Sequence, residues 1–84
     1  MSYELIFDEK AIDFLSELPK EIRKRIYDRI AAAKENPKHF FERLAGRKDY
    51  KLRVGDYRVI ADINDGLKRI EVTLIGHRKN VYDG

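Results

Sequence analysis

Apolar and polar positions along the chain follow two different periods, and the change from one to the other divides it into halves. Tyr3 to Phe7 is a short apolar run compatible with a strand, closed by Asp8, a residue type that favours helix N-termini. From Glu9 to Leu18 the apolar residues Ala11, Phe14, Leu15 and Leu18 recur at three- and four-residue steps, which predicts a helix with one buried face. Pro19 breaks that helix and is tolerated in the first turn of the next one. There Ile22, Ile26, Ile30 and Ala33 form one stripe, while Arg23, Lys24, Asp28 and Arg29 are placed to meet solvent, until Asn36 and Pro37 end the periodicity. Two helices with almost no linker between them form an antiparallel hairpin that needs a flat apolar partner.

The second half supplies it, because after a connecting segment from Lys38 to Arg47 the apolar period falls to two. Val54, Gly55, Asp56 and Tyr57 read as a two-residue hairpin turn, with Gly55 free to take the positive φ such turns need. That register sets Arg53 opposite Arg58, Leu52 opposite Val59 and Lys51 opposite Ile60. A second turn at Asn64, Asp65, Gly66 and Leu67, read as the same type, sets Ala61 opposite Ile70, Val59 opposite Val72, Arg58 opposite Thr73 and Asp62 opposite Arg69. One sheet face then carries Tyr50, Leu52, Val54, Tyr57, Val59, Ala61, Ile70, Val72 and Leu74, enough to cover the helical hairpin, and the other carries Lys51, Arg53 and Arg58. The expected fold class is α+β: an N-terminal strand and a helical hairpin packed on a small, mainly antiparallel sheet, in the order β-α-α-β-β-β, as a single domain over residues 1–84.

Composition narrows the function classes. With 84 residues and no cysteine, a disulfide framework and thiolate metal sites are excluded. No apolar run approaches the roughly 20 residues that span a bilayer, and no signal-peptide pattern opens the chain, so a cytoplasmic, membrane-independent protein is expected. The charge is uneven. Residues 1–42 hold 8 basic and 9 acidic groups, whereas residues 43–84 hold 10 basic and 6 acidic ones. A basic second half fits a polyanionic partner, nucleic acid or an acidic protein segment.

The basic sheet face sharpens that. Two arginines directly opposite each other with a lysine beside them repel, so folding alone does not ask for them. Guanidinium forks so placed hold a phosphate and offset the charge that develops on it during displacement. The competing reading is a solvated face whose charges protect a sheet edge. At the end of the last strand Gly76-His77-Arg78-Lys79-Asn80-Val81-Tyr82 adds a group that titrates near neutrality, a further guanidinium and a ring suited to base stacking. Strict alternation puts His77, not Arg78, on the basic face, unless Gly76 marks a bulge.

The order strand, helical hairpin, three-stranded meander, together with Gly-Asp-Tyr-Arg at 55–58 and Gly-His-Arg-Lys-Asn-Val-Tyr at 76–82, resembles the RelE/ParE toxin superfamily over essentially the whole chain, and its RelE branch in particular. That branch consists of toxins of type II toxin-antitoxin pairs that cut messenger RNA in the ribosomal decoding site. The resemblance implies catalytic roles for Lys51, Arg58, Arg78 and Tyr82, with His77 as a further candidate. Arg53, Arg47, Lys48 and Lys79 are the expected phosphate contacts. Arg53 departs from the best-known member, which has a lysine at this position; arginine stays charged and can only bind or polarise, so base duty falls to Lys51 or His77. The implied reaction is attack of the messenger's own 2′-hydroxyl on the neighbouring phosphate, with no metal, no small-molecule cofactor and no membrane. The implied partners are the ribosome, messenger RNA and a cognate RelB-like antitoxin. For antitoxin docking, Phe40, Phe41 and Leu44 either form an exposed strip or close the core, and Ile12 and Tyr27 flank the helical stripes. Two other functions stay open: a ParE-like inhibitor of DNA gyrase, and a noncatalytic module that binds nucleic acid or protein through the same face.

Overall fold

The computed structural model describes residues 2–77. The elements run β1 (Glu4–Phe7), α1 (Glu9–Ser16), α2 (Lys20–Ala32), α3 (Pro37–Phe40), β2 (Glu42–Arg43), β3 (Tyr50–Val54), β4 (Tyr57–Asn64) and β5 (Arg69–His77). The five strands form one sheet in the order β1-β5-β4-β3-β2, with β1 parallel to β5 and the other pairs antiparallel. This is the expected α+β fold, with α3 and the two-residue β2 added inside the segment read as a connector.

Local chemistry accounts for the helix boundaries. The backbone carbonyl of Asp8, not its side chain, receives the first N–H groups of α1, from Ala11 and Ile12. The helix stops at Ser16, where the N–H groups of Glu17 and Leu18 close the last turn on Phe14 and Leu15. Pro19 then stands at the N-cap of α2, its carbonyl accepting from Arg23 N–H at 2.9 Å. The apolar stripes face the sheet as their spacing requires: Ala11, Leu15, Ile26, Ile30 and Ala33 are buried with Leu52, Val54, Val59, Ala61, Ile70, Val72 and Ile75.

The first hairpin has the predicted register, with Arg53 opposite Arg58 and Gly55 at φ +59°. The second does not. Its turn spans four residues, Asp65 to Lys68, so that Asn64 pairs with Arg69 and Ala61 with Val72. Asn64 widens it by accepting the N–H of Leu67 at 3.0 Å, and Lys68 takes a left-handed φ of 53°. Asp62 consequently faces Glu71, and Arg69 meets Glu4 on β1 instead, at 3.4 Å.

A bulge corrects the far end of β5. Between Ile60 and Ala61 the register slips by one residue, and the hydroxyl of the extra residue, Thr73, donates to the Ile60 carbonyl at 3.3 Å. Beyond it the faces exchange. Ile75 enters the core, whereas Leu74, assigned to the core by simple alternation, is exposed on the basic face opposite Ile60. Gly76 pairs with Arg58 and His77 with Tyr57, so the expectation that His77 lies on the basic face fails for the same reason.

The segment after α3 closes the core rather than presenting an apolar strip. Phe41 is buried under the helices, Phe40 packs beside it, and Leu44 points to the other face, where it is buried against Ile60.

Candidate phosphate-binding site

A cleft of about 270 Å³ runs along β3, lined by Glu42, Lys51, Arg53 and Arg58 from the sheet face away from the helical hairpin and by Arg29, Phe40 and Leu52 from the helix side. Its centre is set by the first hairpin. A two-residue turn closed by Val54 and Tyr57 makes the next pair, Arg53 and Arg58, the one whose side chains stand closest across the strands. Arg58 is half-buried with its Nε out of solvent contact, Arg53 is exposed, and Lys51 is half-buried one alternation along β3. On the other side of Arg58 stands Gly76, which has no side chain to cover the guanidinium. Held by the sheet, these cations form a rigid fork at which a phosphate meets several charge-assisted donors at once.

Two charged members of the cleft were not expected there. Arg29 belongs to the polar stripe of α2 yet reaches the cleft from the helix side. Glu42 lies on β2 opposite Lys51, its Oε1 at 4.0 Å from the lysine Nζ. The signal for Glu42 was in the sequence: it alternates with two buried neighbours, Phe41 and Leu44, so its side chain must face the side on which Leu44 lies.

Arg47 and Lys48 fall in the loop joining β2 to β3, where they line a second cleft with Arg43, Leu44, Ala45 and Gly46. There Arg47 is ion-paired with Asp49 and its carbonyl accepts from Arg43 Nε at 3.3 Å. The ring of His77 packs edge-on against Tyr57, centroids 5.5 Å apart, on the helix-bearing face. Arg78, Lys79 and Tyr82 lie outside the described residues. Among the described residues, no three His, Asp or Glu side chains are grouped as a metal site requires, and no helix is long and apolar enough to cross a membrane.

Titration behaviour sets two other spots apart. Asp65 accepts from Lys38 at 2.6 Å and from the Tyr3 hydroxyl at 2.9 Å, which holds its carboxyl below the usual carboxylate range and raises Lys38. The hydrogen bond and charge of Asp8 instead raise Glu71, which also faces Asp62. Between α1 and α2 an apolar groove of about 590 Å³ is lined by Phe7, Ile12, Leu15 and Tyr27 and rimmed by Lys20, Arg23 and Lys24. Ile12 and Tyr27 are about half exposed there, at 52% and 48%.

The sheet spends one face on the helical hairpin and carries Lys51, Arg53 and Arg58 on the other, and the comparisons with known proteins define the class. Residues 5–82 match the profile of the ParE toxins of type II toxin-antitoxin systems (parDE), and the chain belongs to this family, within the RelE/ParE superfamily. It is therefore a toxin of a type II toxin-antitoxin system with a RelE-like fold. The toxin in the archaeal RelE-RelB complex from Pyrococcus horikoshii is 26% identical and superposes with a TM-score of 0.80 over 96% of this chain and 100% of that one. In the RelB-RelE complex from Methanococcus jannaschii the identity is 29% and the TM-score 0.71, over 93% and 95% of the two chains. The intact Escherichia coli RelBE complex gives 26%, with a TM-score of 0.78 over 90% and 96%. No curated protein sequence gives a significant match.

Proposed function

We propose that this toxin is a ribosome-dependent endoribonuclease that cleaves messenger RNA in the decoding site. The observation that carries this reading is the Arg53–Arg58 pair with Lys51 beside it, a cost in repulsion that the fold does not need and a phosphodiester does. Arg53 and Arg58 bind the scissile phosphate and stabilise the charge that grows on its oxygens as the 2′-hydroxyl attacks. Neither guanidinium exchanges a proton, so proton transfer falls to other groups in the cleft. The resemblance of the closing motif adds Arg78 and Tyr82 to the site, with Lys79, Arg47 and Lys48 as outlying phosphate contacts. The ribosome holds the messenger in the bent geometry the reaction needs, which explains how so few titratable groups suffice and why free RNA is a poor substrate. A cytoplasmic location follows from that substrate.

The partner proposed for neutralisation is a RelB-like antitoxin, a reading supported by the structural relatives solved as RelB complexes. The groove between α1 and α2 fits an amphipathic antitoxin helix whose acidic residues meet the rim of Lys20, Arg23 and Lys24. The second reading, gyrase inhibition, is favoured by the family's description as ParE toxins.

Primer extension on messenger RNA held in translating ribosomes, with the same RNA free in solution and a gyrase supercoiling assay beside it, tests both. Cuts confined to the decoding site are expected. Supercoiling inhibited with the messenger intact reverses the assignment.

A further inference from the structure

Attack by a 2′-hydroxyl requires one proton to leave the entering oxygen and another to reach the departing 5′-oxygen. The cleft restricts which groups do this. Arg29, Arg53 and Arg58 keep their protons, and Phe40 and Leu52 have none to give. His77, the other candidate base, points to the opposite face of the sheet with its ring against Tyr57. Of the described residues lining the cleft, Lys51 and Glu42 remain, and they face each other across β2 and β3 with 4.0 Å between Nζ and Oε1.

We infer that Glu42 and Lys51 are the acid–base couple of the site: the Glu42 carboxylate removes the 2′-hydroxyl proton, and the Lys51 ammonium protonates the 5′-oxygen. The inference rests on the nuclease reading and supplies the base that the arginine at position 53 leaves wanting. As the proton passes to Glu42, the O2′–P bond forms. The P–O5′ bond then breaks, with its electron pair leaving on the 5′-oxygen, which takes its proton from Lys51. The products are a 2′,3′-cyclic phosphate and a 5′-hydroxyl. Transfer of the captured proton from the Glu42 carboxylic acid to the Lys51 amine restores both groups, so no water, metal or redox partner is consumed.

The way β2 is built supports this use. A two-residue edge strand adds little to a sheet, yet this one is anchored on both faces, by Phe41 in the main core and by Leu44 against Ile60. Those anchors fix the backbone of Glu42 beside Lys51. The side chains themselves differ: that of Lys51 is only 26% exposed and held by its surroundings, whereas that of Glu42 is 76% exposed and can swing. A phosphate drawn in by Arg53 and Arg58 competes with the carboxylate for Lys51. That competition separates the pair to the two sides of the phosphorus, as in-line displacement demands.

The test measures single-turnover cleavage of ribosome-bound messenger between acid and alkaline pH for wild type, Glu42→Gln, Glu42→Asp and Lys51→Ala, with thermal melts to confirm folding. Glu42→Gln is expected to cut at least about 100-fold more slowly and to lose the rise of rate with pH on the acid side, and Glu42→Asp to recover most of the rate. A messenger with sulfur in place of the 5′-bridging oxygen, whose leaving group needs no proton, is expected to rescue Lys51→Ala but not Glu42→Gln. Glu42→Gln within about threefold of wild type, or slowed with an unchanged pH profile, overturns the couple and leaves the nuclease reading standing. A wild-type protein that cuts no ribosome-bound messenger overturns both.

Discussion

If the Arg53–Arg58 pair is kept for the substrate, removing one charge makes the toxin more stable and less active at once. Arg53→Gln is the cleaner change, because Arg53 is exposed while the Nε of Arg58 is buried. The side chains leave directly opposite positions on adjacent strands, whose Cβ atoms stand about 5 Å apart, so a charge separation of about 6 Å serves as the working value. At that distance two unit charges repel by about 0.7 kcal/mol at the dielectric constant of water, and by roughly half that once physiological salt screens them. Lower polarisability near the sheet raises the figure, so the substitution is expected to stabilise the fold by about 0.3–1 kcal/mol. Urea unfolding followed by circular dichroism reads this as a higher midpoint at unchanged slope, with the gain shrinking as sodium chloride is raised toward 1 M. The same variant is expected to lose at least about tenfold in cleavage of ribosome-bound messenger, since one of two phosphate clamps is gone. Destabilisation by Arg53→Gln, or a gain insensitive to salt, refutes the claim that the pair is a cost to folding.

Three further outcomes follow from the geometry. Arg58→Ala is expected to slow cleavage by about two to three orders of magnitude, measured in single turnover, because it removes a fixed donor from the developing phosphate charge; a loss below tenfold contradicts that role. Gly55→Ala is expected to cost about 1 kcal/mol in urea unfolding, entirely through its φ of +59°, since the added Cβ meets Arg25 Nη1 at an ordinary 3.5 Å. Asp65 and Glu71 predict opposite pH effects. The lowered pKa of Asp65 gives stability that is present above its unfolded value and lost as pH falls through the folded one, so Asp65→Asn should weaken the protein at neutral pH and cease to matter in acid. The raised pKa of Glu71 gives stability that is present in acid and lost as pH rises through the folded value. Glu71→Gln is therefore expected to raise the urea midpoint at neutral pH, and the two titrations checked together expose an error in either sign.

Most of the fold was legible because its signals are local. Pro19 between two apolar stripes specifies a helical hairpin, and Gly55-Asp56 specifies a two-residue turn whose register delivers the paired arginines without any tertiary information. The second hairpin was misread because Asn64 and Lys68 together hold a turn two residues longer than Asp65-Gly66 suggests, with Lys38 and Tyr3 gripping Asp65 from distant parts of the chain. The bulge left no composition signal. Gly76 is the residue whose type suggests a bulge, whereas the inserted residue is Thr73, and what secures it is a hydroxyl bond to a neighbouring strand. In the site, Lys51, Arg53 and Arg58 came from alternation alone. Glu42 follows from its alternation with Phe41 and Leu44, whereas Arg29 needed the packing of α2 against β3, which no period along a single segment encodes.

The bulge at Thr73 also bears on how relatives of this toxin are compared. Strand β5 is read in two frames: Ile70 and Val72 define the inward side before the extra residue, Ile75 and His77 after it. A relative that lacks the insertion carries the same end of strand one residue earlier, so a gapless alignment through this strand exchanges residues of the core with residues of the cationic face. A single-residue gap between positions 72 and 74 is then a statement about structure, and a motif search that fixes the spacing from Arg58 to the chain's last strand will pass over true members of the family.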